Sequence, residues 1–96
     1  MTKVVHCKRD EFDVYIGRGS IWGNPFVIGR DGERDEVIAL YRKYLWNRLN
    51  AGDSEIGLYE LASLHNRKLG CYCSPAPCHG DVLAKAAAWA VGELQG

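Results

Sequence analysis

Two prolines, Pro75 and Pro77, stand between a strand-like run and a long helical stripe, and this break constrains the fold more than any other feature. Lys68-Leu-Gly-Cys-Tyr-Cys73 reads as a strand. Ser74-Pro-Ala-Pro77 cannot extend it inside a sheet, because proline has no N–H for the ladder. Pro77 instead suits the first turn of a helix. Beyond it, Val82, Leu83, Ala86, Ala87, Ala90, Val91 and Leu94 keep the spacing of one helical face. The alanine-rich stretch 84–90 favours helix and close packing on a sheet. The chain therefore turns a corner from strand to helix within Cys71-Tyr-Cys73-Ser-Pro-Ala-Pro-Cys78-His79-Gly80-Asp81.

The remainder supplies partners for that corner. Lys3 to Lys8 is strand-like, with Val4, Val5 and Cys7, and Phe12 to Ile16 gives a second strand after a polar turn. These two strands either form a hairpin or flank another strand. Gly17-Arg18-Gly19-Ser20 ends the second strand, Ile21 to Phe26 is irregular, and Phe26-Val-Ile28 reads as a short edge strand before the turn 29–32. A helix is predicted from Arg34 to Asn50 on the spacing of Val37, Leu40, Tyr41, Tyr44, Leu45 and Arg48. Gly52 and Asp53 stop it, and Ser54 caps a second helix from Glu55 to His65. Two helices between the second strand and Lys68–Cys73 suit a parallel crossover. The expected fold is α/β in a single domain over residues 1–96. Its small, partly parallel sheet of three to four strands is covered by about three helices, in a Rossmann-like three-layer or a two-layer arrangement.

Twelve basic and twelve acidic residues give a formal net charge of zero, which argues against a partner held by bulk charge such as nucleic acid. No apolar stretch reaches membrane-spanning length, and the start Met-Thr-Lys-Val-Val-His-Cys lacks a signal-peptide core. A cytoplasmic location is expected, where the four cysteines are thiols, metal ligands or catalytic groups rather than structural disulfides.

In a sheet of this type, ligands collect where strands end and helices begin. Cys78 at a helix start is the best nucleophile candidate, because a thiolate is stabilised there. His79 and Asp81 complete the candidate catalytic set. Adjacent helical residues diverge, so His79 is poorly aimed as a base for Cys78. Gly80 allows close approach of a ligand to the backbone. Asp81 either caps the helix or accepts hydrogen bonds from a sugar hydroxyl or an amine. Cys71 and Cys73 share a strand face; Cys71 reads as core and Cys73 as the functional candidate. Zinc on Cys71, Cys73, Cys78 and His79 is an alternative, although the spacing departs from Cys-x-x-Cys turns. A redox pair of Cys73 and Cys78 is another. The second wall is Gly17 and Arg18, whose guanidinium can clamp phosphate or carboxylate. Trp22 and Phe26 are either a core plug or a platform for a flat ring, and Asn24 can read a base edge.

Tyr15-Ile-Gly-Arg18, Trp22-Gly-Asn-Pro-Phe26, the helix from Arg34 and the cysteine corner together resemble a domain family of unknown function carried largely by tailed phages and bacteria. The family pairs a Gly-Arg-Gly…Trp-Gly-Asn-Pro-Phe motif with Cys-x-Cys-x-Pro-x-x-Cys-His-Gly-Asp. The resemblance covers nearly the whole chain and implies a stand-alone cytosolic protein, phage-encoded. It marks Gly17, Arg18, Trp22, Gly23, Asn24, Pro25, Cys73, Pro75, Cys78, His79 and Asp81 as signature positions. It implies no activity.

The expected function is binding, and in a phage setting sequestration or modification, of a nucleotide or nucleotide-derived small molecule. Arg18 would hold phosphate, Trp22 or Asn24 the base, and His79 with Asp81 the sugar or phosphate. Other readings are a Cys78-dependent transferase or hydrolase and a zinc-stabilised module for a host protein. The C-terminal helix with Trp89 can serve a homodimer as well as a core.

Overall fold

The computed structural model describes residues 2–52, 56–72, 76 and 78–95. The elements run β1 (Lys3–His6), β2 (Val14–Tyr15), α1 (Arg34–Asn50), α2 (Leu58–Ala62), β3 (Lys68–Cys71) and α3 (His79–Gln95). The strand that leads to the proline break lies in the middle of the sheet. β3 pairs in parallel with β1 on one side and with β2 on the other, giving the order β1-β3-β2. The three strands are thus wholly parallel, and the first two flank a third rather than forming a hairpin.

Parallel neighbours usually need a connection of a dozen residues or more. Here residues 7–13 carry the chain from β1 to β2, on the far side of β3. The short path works because β2 contributes only Val14 and Tyr15. The Asp13 N–H donates to the Lys68 carbonyl at 2.8 Å, and the Lys68 N–H donates to Asp13 Oδ2 at 2.8 Å. Phe12 lies directly on the middle strand at Gly70, where an added Cβ would sit 2.7 Å from Phe12 Cγ. Only glycine admits a crossing this close.

The register sets Val4, Leu69 and Val14 level with one another, and Val5, Gly70 and Tyr15 level one step on. Side chains alternate between faces of a sheet. Leu69 is fully buried in a core with Tyr41 and Leu45 of α1, Leu61 of α2, and Leu83, Ala87 and Ala90 of α3, and Val4 and Val14 pack against it. All three helices therefore share one core with the Leu69 side of the sheet. The Gly70 side takes the aromatic rings of Phe12 and Tyr15.

α1 occupies the span its periodicity predicts, with Val37, Tyr41 and Leu45 buried. α2 is shorter than the expected Glu55–His65 helix: Gly57 precedes its first turn, and Ser63 Oγ donates to the Glu60 carbonyl at 2.6 Å as the chain leaves it. Ser54 and Glu55 lie outside the described residues. The edge strand expected at Phe26–Ile28 is absent among the described residues. Asp31 Oδ2 accepts the Val27 N–H at 2.7 Å and folds the segment into a turn, leaving only an isolated bridge between Ile28 and Gly32. No helix among the described residues is long and apolar enough to cross a membrane.

Candidate functional site

The C-terminal ends of β2 and β3 open into a cleft of about 330 Å³. Its walls come from four places in the chain: Tyr15 at the end of β2 with Gly17 and Arg18 just after it; Asn24 and Phe26 to Ile28 in the following loop; Arg34, Val37 and Ile38 on the first turns of α1; and Cys71, Tyr72, Cys78 and His79 at the strand-to-helix corner. This is the crevice at strand ends where parallel α/β sheets collect ligands. Its volume falls in the range of small-molecule sites.

The corner is built around Cys78, the residue just before α3. Its Sγ accepts the Gly80 N–H at 3.3 Å, and its own N–H donates to Asp81 Oδ2 at 3.2 Å. The Asp81 carboxylate returns to the capping residue's N–H as the third-position acid of a capping box does, while the sulfur takes the N–H of the second position. Asp81 is thus a capping carboxylate on an exposed position and does not line the cleft. The amides of Cys78, Gly80 and Asp81 are all bonded within the corner. Gly80 is packed rather than open to a ligand: a Cβ there would lie 2.9 Å from both Ile16 Cδ1 and Val4 Cγ1. Cys71 and Cys78 are both buried, with sulfurs 3.3 Å apart. Cys73 lies outside the described residues. Among the described residues no three His, Cys, Asp or Glu side chains gather as a metal site.

His79 is buried, and Nε2 is 2.6 Å from the Ile16 carbonyl oxygen. A carbonyl only accepts, so Nε2 carries the proton and Nδ1 holds the lone pair of the neutral ring. The imidazole stands edge-on to Tyr41, with centroids 4.9 Å apart. Burial lowers its pKa from the ordinary 6.5; the Ile16 carbonyl, the neighbouring Cys71 sulfur and the Asp81 carboxylate oppose this, and Arg18 reinforces it. His79 is therefore neutral at pH 7, and its proton-bearing nitrogen is committed to the backbone rather than to Cys78.

Trp22 does not line the cleft. Its side chain is buried in the core, and its carbonyl accepts the Tyr41 O–H at 2.7 Å, so it serves as the plug. Asn24 does line the cleft, but its Nδ2 donates to the Val37 carbonyl at 3.3 Å and its Oδ1 accepts the Phe26 N–H at 2.9 Å. The side chain ties the loop to α1. Gly17 lets the Tyr15 phenol occupy the space of a side chain. Arg18 is exposed at the rim, next to that turn.

Phe26, expected as either a plug or a ring platform, lines the cleft, and the structure adds Arg34, Val37, Ile38 and Tyr72, which sequence patterns alone did not assign to it. Arg34 enters from α1 with Val37 and Ile38, spacings of three and four that mark one helical face. Phe26, held edge-on to Tyr44 at 6.2 Å, and the exposed Tyr72, edge-on to Tyr15 at 6.4 Å, supply the rings. The signal for Arg34 was its place in the first turn after a Gly-containing loop, on the Val37 face.

Residues 3–89 match the family model described as Domain of unknown function (DUF4326). The chain is also 41% identical over 85 residues to the "Uncharacterized 12.4 kDa protein in nrdA-td intergenic region" of Enterobacteria phage T4, covering 88% of this chain and 75% of that protein. No solved structure matches it. With nearly its full length matched by the family model and by the phage T4 relative, this chain belongs to the DUF4326 family.

Proposed function

We propose that the cleft binds a nucleotide or nucleotide-derived small molecule. The observation that carries this reading is the meeting of Arg18 and Arg34 with the rings of Tyr15, Phe26 and Tyr72 on one cleft at the strand ends. Guanidinium groups grip phosphate by charge-assisted, often bidentate hydrogen bonds. Aromatic rings beside Val27, Ile28 and Ile38 accept a flat base. The phosphate is assigned to the arginines and not to the start of α3, because the amides of Cys78, Gly80 and Asp81 are engaged inside the corner. The base is assigned to Phe26 and Tyr72 in place of the buried Trp22. His79 Nδ1, to which no described residue donates, accepts a hydrogen bond from a ligand hydroxyl or amine.

The test is thermal unfolding with a panel of mono- and dinucleotides, including nicotinamide dinucleotides. A ligand at 100 times its Kd stabilises by about 2.7 kcal/mol. For a chain of this size that raises Tm by roughly 10–20 °C. Arg18 is exposed and has no hydrogen-bond or ion-pair partner among the described residues, so Arg18→Ala keeps the fold. Losing a charge-assisted contact of about 1.5–3 kcal/mol weakens binding roughly tenfold or more. No shift with any nucleotide, or a shift that Arg18→Ala leaves intact, overturns the proposal.

A further inference from the structure

We infer that Cys71 and Cys78 are a reversible redox pair in the cleft wall, closing to a disulfide in the presence of a small hydroperoxide. The cysteines come from different elements, the end of β3 and the residue before α3, yet their sulfurs are 3.3 Å apart. A disulfide needs about 2.05 Å, so a small closure suffices. Both are almost wholly buried, at 1% and 3% exposure, and both line the cleft. Access is thus from one side and limited to small reagents.

The two sulfurs are not equivalent. Cys78 Sγ accepts the Gly80 N–H at 3.3 Å and sits at the positive end of α3, where negative charge on sulfur is favoured. Cys71 ends a central strand and has no such helix end. Cys78 is the attacking residue and Cys71 the resolving one. The Cys78 thiolate attacks one peroxide oxygen, the O–O bond breaks, and hydroxide leaves as Cys78 becomes a sulfenic acid. The Cys71 sulfur then attacks the Cys78 sulfur, the S–O bond breaks, and water departs with the Cys71 proton. The proton released when Cys78 ionised converts the hydroxide to a second water. Two thiols lose two electrons, and the peroxide becomes two waters. A low-molecular-weight thiol or phosphine restores the pair. The corner then has two forms, one with a sulfur capping α3 and one with that sulfur bonded to the sheet. The inference stands apart from the nucleotide reading, since it needs only the sulfurs and the opening beside them.

The experiment treats the whole chain with hydrogen peroxide and counts thiols after denaturation. In Cys73→Ser, three cysteines remain of the four. Their thiol count falls to one, Cys7, and returns to three after tris(2-carboxyethyl)phosphine. In the unsubstituted chain, cleavage after Tyr72 separates Cys71 from Cys73 and Cys78. Nonreducing mass spectrometry then finds the fragment ending in Tyr72 bound to its neighbour, with fragmentation placing the link on Cys78. This arm needs no substitution, so a misfolded variant does not leave the question open. A thiol count that stays at three in Cys73→Ser overturns the inference. So does a link that joins Cys73 instead, or oxidation that stops at sulfinic acid on Cys78.

Discussion

Acidification weakens this protein through His79, and the sign follows from the ring's surroundings. Burial lowers the His79 pKa in the folded chain below 6.5, while the unfolded chain returns it to the ordinary value. Between those two values the unfolded state binds more protons, so stability rises with pH there. The contribution is fully present above about pH 6.5 and is lost as the pH falls toward the folded pKa. For one group the slope cannot exceed about 1.36 kcal/mol per pH unit. Protonation would charge a ring that is 7% exposed, stacked edge-on to Tyr41. His79→Gln is the informative variant, since a glutamine amide can donate to the Ile16 carbonyl and does not titrate. Urea unfolding of both proteins between about pH 7.5 and pH 5 measures the effect, and the wild-type-minus-variant difference isolates His79. That difference shrinks on acidification below about pH 6.5. A flat difference, or one that grows as the pH falls, refutes the assignment of a neutral, backbone-bonded histidine.

Gly70→Ala forces a Cβ to within 2.7 Å of Phe12 Cγ and costs about 1–3 kcal/mol by denaturant unfolding. Adding Phe12→Ala recovers part of that loss, so the two changes combine less than additively. Tyr41→Phe strips the O–H that donates to the Trp22 carbonyl at 2.7 Å, leaving a buried acceptor unmade, and lowers stability by about 1–3 kcal/mol. Asp81→Ala removes the carboxylate that accepts the Cys78 N–H; the cap loses about 0.5–2 kcal/mol in chemical unfolding, while ligand affinity stays within about twofold. A large affinity loss in a folded Asp81→Ala protein would place that carboxylate on the ligand after all.

The long helices were the most legible part of the sequence. Val37, Tyr41 and Leu45 recur every four residues, and α1 spans Arg34–Asn50 as that spacing predicts. The proline break placed the start of α3 within a residue. The strands were harder, because pairing partners depend on contacts far apart in the chain. Nothing local in Phe12–Ile16 reveals that its neighbour is Lys68–Cys71, or that Phe12 itself leaves the strand to cover Gly70. The Phe26–Ile28 run looked like a strand by composition, but an aspartate four residues after Val27 closes it into a turn. At the site, the two motifs were visible as motifs, and the structure brings Gly17, Arg18 and Asn24 to one cleft with Cys78 and His79. Individual roles were not legible. A signature tryptophan that fills the core and one that stacks on a ligand read alike in sequence, and only the position of Trp22 beside Tyr41 separates them. The Cys71–Cys78 approach was equally hidden, since it depends on how sharply the corner turns.

Amide chemical-shift mapping during nucleotide titration tests the central claim most directly. Shifts that saturate and concentrate at Gly17, Arg18, Asn24, Phe26–Ile28, Arg34–Ile38, Tyr72, Cys78 and His79 are the predicted result. Arg18→Ala raises the fitted Kd about tenfold or more with the same set of amides affected. Saturable shifts clustered elsewhere, such as around Trp46 and Trp89, or no shifts at millimolar nucleotide, would contradict the assignment of the cleft as the binding site.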